Sequence, residues 1–126
     1  MIYRVGILIL MLTAACGAQD GYRSVNSDKL IQLIKDKPGV LLDVRTAGEF
    51  SSGHLKEAVL IDFMKPEFES ELDKLDKSAT YYVYCRSGNR SAKAAALMNQ
   101  KGFQSVYNVA DGMIGLSKTM ADQIVR

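Results

Sequence analysis

Cys85 stands in a setting suited to covalent chemistry. It closes the run Thr80-Tyr81-Tyr82-Val83-Tyr84 and is followed at once by Arg86-Ser87-Gly88-Asn89-Arg90-Ser91. The run before it has the β-branched and aromatic composition of a strand. Ser91 opens an alanine-rich stretch to Gln100 with high helix propensity. The thiol is therefore expected where a strand passes through a loop into a helix, beyond the carboxyl end of the strand, where open α/β sheets bind ligands. Successive N–H groups from Arg86 to Ser91 can curl round a common centre, and the helix dipole adds to the same field. Gly88, and to a lesser degree Asn89, tolerate the positive φ such a loop demands. With the guanidinium groups of Arg86 and Arg90 nearby, the thiolate is favoured and its pKa is expected to fall from about 8.5. Such a thiolate is a nucleophile that needs no separate base. The plainer reading, a small buried hydrophobe ending a strand, leaves the glycine and the two arginines unexplained.

Other polar residues fit lesser roles. His54, the single histidine, follows the turn Ser52-Gly53 and is expected to satisfy local backbone groups rather than move protons. Asp43 and Arg45 fall at the end of a second apolar run. On the residues alone, Arg45 there can form a surface ion pair with Glu49. Tyr81, Tyr82 and Tyr84 alternate along their strand, and of these Tyr84 is the one expected to approach the pocket. The methionines have no metal-binding spacing, and neither metal nor cofactor is expected.

A chain of 126 residues accommodates one domain, and 48% apolar with 24% charged residues is the balance of a folded globular protein. A net charge of +2 gives no basic face for tracking phosphates, so no nucleic-acid partner is expected. Two cysteines, Cys16 and Cys85, exclude a multi-disulfide scaffold, and one histidine excludes zinc-finger spacing. A disulfide between the two would tie the terminus to the reactive loop and silence the thiol, so it is not expected.

The elements that must position Cys85 follow from the pattern. A polar stretch to Asn26 reads as a flexible lead, with order beginning near Ser27. Ser27 or Asp28 caps a helix carrying Leu30, Ile31, Leu33 and Ile34, which Pro38-Gly39 stops. Val40-Leu41-Leu42-Asp43-Val44 reads as a strand covered on both faces. A short helix over Thr46 to Ser51, a strand over Ala58 to Ile61 and a surface helix over Pro66 to Leu75 precede the Cys85 strand. After the alanine-rich helix, Val106 to Val109 forms a last strand, and Asp111 to Val125 has weaker helical patterning. Alternating strands and helices predict an α/β fold with a mainly parallel central sheet flanked by helices on both faces.

The amino terminus reads as an address. Arg4, the apolar run Val5 to Leu12 and the small residues Thr13-Ala14-Ala15 have the layout of a secretory signal over residues 1–15. That run is shorter than the roughly 20 residues a membrane span needs. Leu12-Thr13-Ala14-Ala15-Cys16 also resembles a bacterial lipobox, in which the cysteine is lipidated. It departs from the usual pattern in having Thr13 three places before the cysteine, which leaves ordinary cleavage after Ala15 or Ala18 as the alternative. Either route predicts an exported protein, in the periplasm or cell envelope, with a lead over 16–26 and a domain over 27–126.

The mature chain resembles the rhodanese-like sulfurtransferase family. Leu41-Leu42-Asp43-Val44-Arg45, Glu49-Phe50 and Gly53-His54-Leu55 are similar to its first signature, and Tyr84-Cys85-Arg86-Ser87-Gly88-Asn89-Arg90-Ser91 to its active-site loop. The resemblance implies that Cys85 accepts a sulfane sulfur, holds it as a persulfide and passes it to an acceptor. It also implies donor binding by Arg86, Ser87, Gly88, Asn89, Arg90 and Ser91, with Asp43 and Arg45 in support. The implied partners are a small anionic donor and a thiol or cyanide-like acceptor, the protein acting as a monomer. Arginine at both ends of the loop resembles thiosulfate-using members. A non-catalytic sulfur carrier or partner-binding module of the same fold is the alternative. Related phosphatases and arsenate reductases place one residue more than the four between Cys85 and Arg90, a larger ring suited to a phosphoryl group. Two departures bear on the rim and its acceptor: Glu57 stands where many members have glycine, and Asp111-Gly112-Met113-Ile114-Gly115-Leu116 replaces a Gly-Gly and Trp pattern.

Overall fold

The computed structural model describes residues 21–126, so the expected signal segment and the lipidation candidate Cys16 lie outside the described residues. Five parallel strands form the central sheet: β1 (Arg23–Val25), β2 (Val40–Asp43), β4 (Val59–Leu60), β5 (Thr80–Tyr84) and β6 (Ser105–Val109). They lie in the order β1-β6-β5-β2-β4. Its centre is set by register, with Asp43 opposite Tyr84 and Val83 opposite Asn108. The next sheet strand after β2 lies outward on one side, and the next after β5 outward on the other. The order therefore reverses between β2 and β5, and a crevice opens at their carboxyl ends.

Helices α1 (Ser27–Asp36) and α5 (Gly112–Thr119) cover one face, where Leu30 and Leu116 pack on Tyr82, Tyr84 and Tyr107. On the other face α3 (Phe68–Asp73) and α4 (Asn89–Gln100) bring Leu72, Ala94, Ala95 and Met98 against Leu42, Tyr81 and Val83. Burial on both faces is why β2 and β5 read as nearly unbroken apolar runs. Small alanines let α4 lie close to β5 and β6, which fixes its amino end beside Cys85. The short helix α2 (Ala47–Ser52) crosses the end of the sheet, capped by Thr46, whose hydroxyl accepts from the Glu49 N–H while Glu49 returns to the Thr46 N–H.

Several boundaries differ from the sequence reading. The polar lead is structured near its end: Arg23–Val25 pair with Tyr107–Val109 as an edge strand. Among the described residues no strand pairs with its other side, so its residues need not be apolar, and pairing at this sequence separation leaves no local pattern. Asn26, not Ser27 or Asp28, caps α1 by accepting from the Lys29 N–H. Beyond α5 a 3-10 turn (Ala121–Gln123) leads into β7 (Ile124–Val125), which pairs antiparallel with β3 (His54–Leu55). Glu57, after β3, has φ 68°. No helix among the described residues is long and apolar enough to cross a membrane.

Candidate active site

Cys85 is the first residue past β5. Gly88, at φ 93°, turns the chain so that α4 begins at Asn89, two residues earlier than its alanine-rich pattern indicates. Asn89, Arg90 and Ser91 thus form the first helical turn, whose N–H groups have no carbonyl partner within the helix. The Gly88 N–H donates to Cys85 Sγ at 3.2 Å, and Ser91 Oγ lies 3.3 Å from the sulfur. Burial pushes the thiol up, but the Ser91 hydroxyl and the N–H groups of Ser91, Ser87 and Gly88 outweigh it, and Cys85 lies below the ordinary thiol range. These donors favour the thiolate by hydrogen bonding to the charged form. Cys85 as a whole is 1% exposed, so little thiol surface meets solvent.

The loop rests on the β6–α5 connection. The N–H of Met113 donates to Cys85 O at 2.8 Å and that of Ile114 to Arg86 O at 3.1 Å. Gly112, at φ 50°, passes so close that an added Cβ would sit 2.5 Å from Arg86 O and 2.6 Å from Cys85 O. Asp111 ties this connection to α1, accepting from Ser27 N at 2.8 Å and Ser27 Oγ at 2.7 Å. The hydroxyl that the sequence offered as a helix cap instead braces the site from across the sheet end.

Asp43 and Arg45 form a buried ion pair beneath the crevice. Arg45 Nη2 lies 2.8 Å from Asp43 Oδ2 and donates at 2.7 Å to Gly53 O. Its guanidinium stacks 5.7 Å from the centre of the Tyr84 ring. Tyr84 in turn accepts from Leu55 N at 3.1 Å, and burial first, then the Asp43 charge, hold its phenol well above the ordinary tyrosine range. This pair locks β2, β3 and β5 together, and the alternative Arg45–Glu49 surface pair does not form. His54 stacks on Phe50 at 3.6 Å between ring centres, with Nδ1 2.9 Å from Phe50 O, a structural placement.

The arginines differ from each other. Arg86 is exposed, has no side-chain partner among the described residues and lines a cavity of about 320 Å³ shared with Arg45, Glu49, Met113 and Ile114. Arg90, expected to join it at the donor, is held by Glu49 in two contacts of 2.8 and 2.9 Å. Arg90 brings the Glu49 carboxyl down to about 2. The cradle at the sulfur is therefore built from amides and a hydroxyl, with Arg90 already neutralised. Ser87 supplies its N–H, while Asn89 is exposed with no side-chain hydrogen bond among the described residues. Sequence reasoning missed Glu49 as the partner of Arg90. Its signal was the Thr46-x-x-Glu49 capping box, which fixes where that carboxylate stands. No group of three or more His, Cys, Asp or Glu among the described residues could hold a metal ion.

A parallel α/β sheet with a cysteine at its reversal point, contacted by the N–H of Gly88 and the hydroxyl of Ser91 in a tight loop entering a helix, defines an α/β domain with a buried, hydrogen-bonded thiol. The chain matches the rhodanese-like domain over residues 26–119 and belongs to that family. A rhodanese-like domain protein of Staphylococcus aureus superposes with TM-score 0.66 at 31% identity, over 74% of this chain and 89% of that one. A rhodanese-related protein of Thermoplasma volcanium gives TM-score 0.66 at 29% identity, covering 82% of this chain and 98% of that one. Among curated proteins, a tRNA uridine(34) hydroxylase of Yersinia pestis is 30% identical over 103 residues, 79% of this chain but 29% of that protein. One from Pelagibacter ubique is 32% identical over 97 residues, 76% of this chain and 32% of its own length. The chain thus spans less than a third of these curated relatives.

Proposed function

We propose that this protein is a sulfurtransferase that moves a sulfane sulfur from thiosulfate or a similar small anionic donor to a thiol or cyanide-like acceptor. In the first half-reaction the Cys85 thiolate attacks the outer sulfur of the donor. The new S–S bond forms on Cys85 as the donor's own S–S bond breaks, and sulfite leaves with the bonding pair. In the second, the acceptor attacks the terminal persulfide sulfur and Cys85 leaves as thiolate. The observation that carries this reading is the Gly88 N–H and Ser91 hydroxyl converging on Sγ.

Intact-mass measurement after thiosulfate treatment tests it, with Cys85→Ser as control. The expected result is a gain of about one sulfur atom that requires Cys85 and is reversed by cyanide or a thiol. No adduct would favour the second reading in its partner-binding form, which the 1% exposure of Cys85 supports. The hydroxylase activity named for the Yersinia and Pelagibacter relatives belongs to much longer proteins. We also propose export to the periplasm or cell envelope, on the layout of residues 1–16, and action as a monomer. The same mass spectrum reports whether Cys16 carries lipid.

A further inference from the structure

Glu49 occupies both terminal nitrogens of Arg90. Its carboxylate is itself fixed from behind: Oε1 accepts from Thr46 N at 3.4 Å and Thr46 Oγ1 at 3.2 Å, and its own N–H donates to Thr46 Oγ1 at 3.3 Å. Glu49 also lines the cavity that Arg86 lines. The formal charges at this mouth then sum simply. Arg45 is cancelled by Asp43 and Arg90 by Glu49, which leaves Arg86 as the one cation of the cavity without a partner among the described residues. Arg86 follows Cys85 in the chain, and Arg90 feels the charge of Cys85, so the pairing of Arg90 bears on the field at the thiolate.

We propose that Glu49 is a specificity-determining residue that, by neutralising Arg90, tunes the Cys85 site toward singly charged sulfane-sulfur donors over doubly charged ones. It deepens the sulfurtransferase reading and rests on it. Two donors separate charge from chemistry: thiosulfate, a dianion, and methanethiosulfonate, a monoanion. Each loses its outer sulfur to Cys85, releasing sulfite in one case and methanesulfinate in the other, with the bonding pair leaving on the departing group.

The experiment measures kcat/KM for both donors and follows their ratio, thiosulfate over methanethiosulfonate, in the full chain. Glu49→Gln leaves Arg90 charged and is expected to raise the ratio roughly tenfold, mainly through KM for thiosulfate, the order of size of one incompletely screened unit charge near the site. Arg90→Gln leaves Glu49 charged and is expected to lower it by a similar factor. The double variant Glu49→Gln/Arg90→Gln removes both charges together and is expected to return the wild-type ratio. A purely bracing role for the pair would lower both donors in parallel and leave the ratio unmoved in every variant, which overturns the proposal. A double variant whose ratio falls as far as that of Arg90→Gln also overturns it, since Arg90 would then bind the donor directly. Should Glu49→Gln fail to fold, the double variant and Arg90→Gln decide the matter between them. Wild-type protein that gains no sulfur from either donor would overturn the sulfurtransferase reading and this proposal together. Sulfur adducts with an unshifted ratio would overturn this proposal alone.

Discussion

At the scale of single residues, the reactivity of Cys85 depends on donors that sit within six positions of it in the chain. Burial works against its thiolate, and the Ser91 hydroxyl is the largest influence opposing burial. Ser91→Ala removes a hydrogen bond made to the charged form, so the thiol pKa rises. The rate of the first half-reaction at neutral pH is expected to fall roughly tenfold, the worth of one hydrogen bond to an ion. Its pH–rate profile moves to higher pH, with the lost rate recovered in alkali. A profile that stays in place in Ser91→Ala would remove the hydroxyl from this role. This much of the site was legible in the sequence, because cysteine, glycine and serine at this spacing bring the donors to the sulfur within seven residues. The partition of the two arginines was not legible: composition supplies both charges, but only the fold brings a carboxylate to one of them.

At the scale of elements, the turn after β3 carries a cost that its sequence already marked. Glu57 adopts φ 68° at the place where many family members have glycine. The left-handed conformation costs a non-glycine residue about 1–2 kcal/mol, partly offset by the greater flexibility of an unfolded chain with glycine there. Glu57→Gly is therefore expected to stabilise the domain by roughly 0.5–1 kcal/mol, read as a rise of a few degrees in Tm. A lower Tm would show that the Glu57 side chain repays its strain through contacts. Strands β2 and β5 and helix α4 were readable because double-sided burial and alanine-rich packing leave strong local patterns. Strands β1 and β7 were not. Arg23–Val25 is a three-residue edge strand, and Ile124–Val125 a two-residue strand whose partner lies at His54–Leu55. Both take their identity from pairing rather than from composition.

At the scale of the whole molecule, the site is held from several directions. From one side α2 reaches α4 through Glu49 and Arg90. From below, Asp43 and Arg45 join three strands. From the α1 face, Ser27 and Asp111 hold the β6–α5 connection against the loop carbonyls. Gly112 is where that last contact is tightest. Gly112→Ala must push away the carbonyls of Cys85 and Arg86 while also straining a positive φ. It is expected to cost roughly 2 kcal/mol of stability and to slow persulfide formation more than Glu57→Gly does. Denaturant unfolding and single-turnover sulfur transfer on the same preparations check both halves. Unchanged transfer in a folded Gly112→Ala protein would show that the loop keeps its shape without this support.

The order of residues alone places a thiol at a strand-to-helix junction among loop amides, and alternating strands and helices put it at the end of a parallel sheet. Hydrogen-bond donors a few residues apart and burial periodicity are local properties, so seven contiguous residues carry the chemistry. The pairing of charges around the loop and the bracing beneath it come from contacts between distant parts of the chain. Glu49 meets Arg90 across 41 residues, and Ser27 meets Asp111 across 84. Which carboxylate cancels which cation at such separations is set by how helices dock on the sheet, a choice made by packing and unmarked in any short stretch of chain.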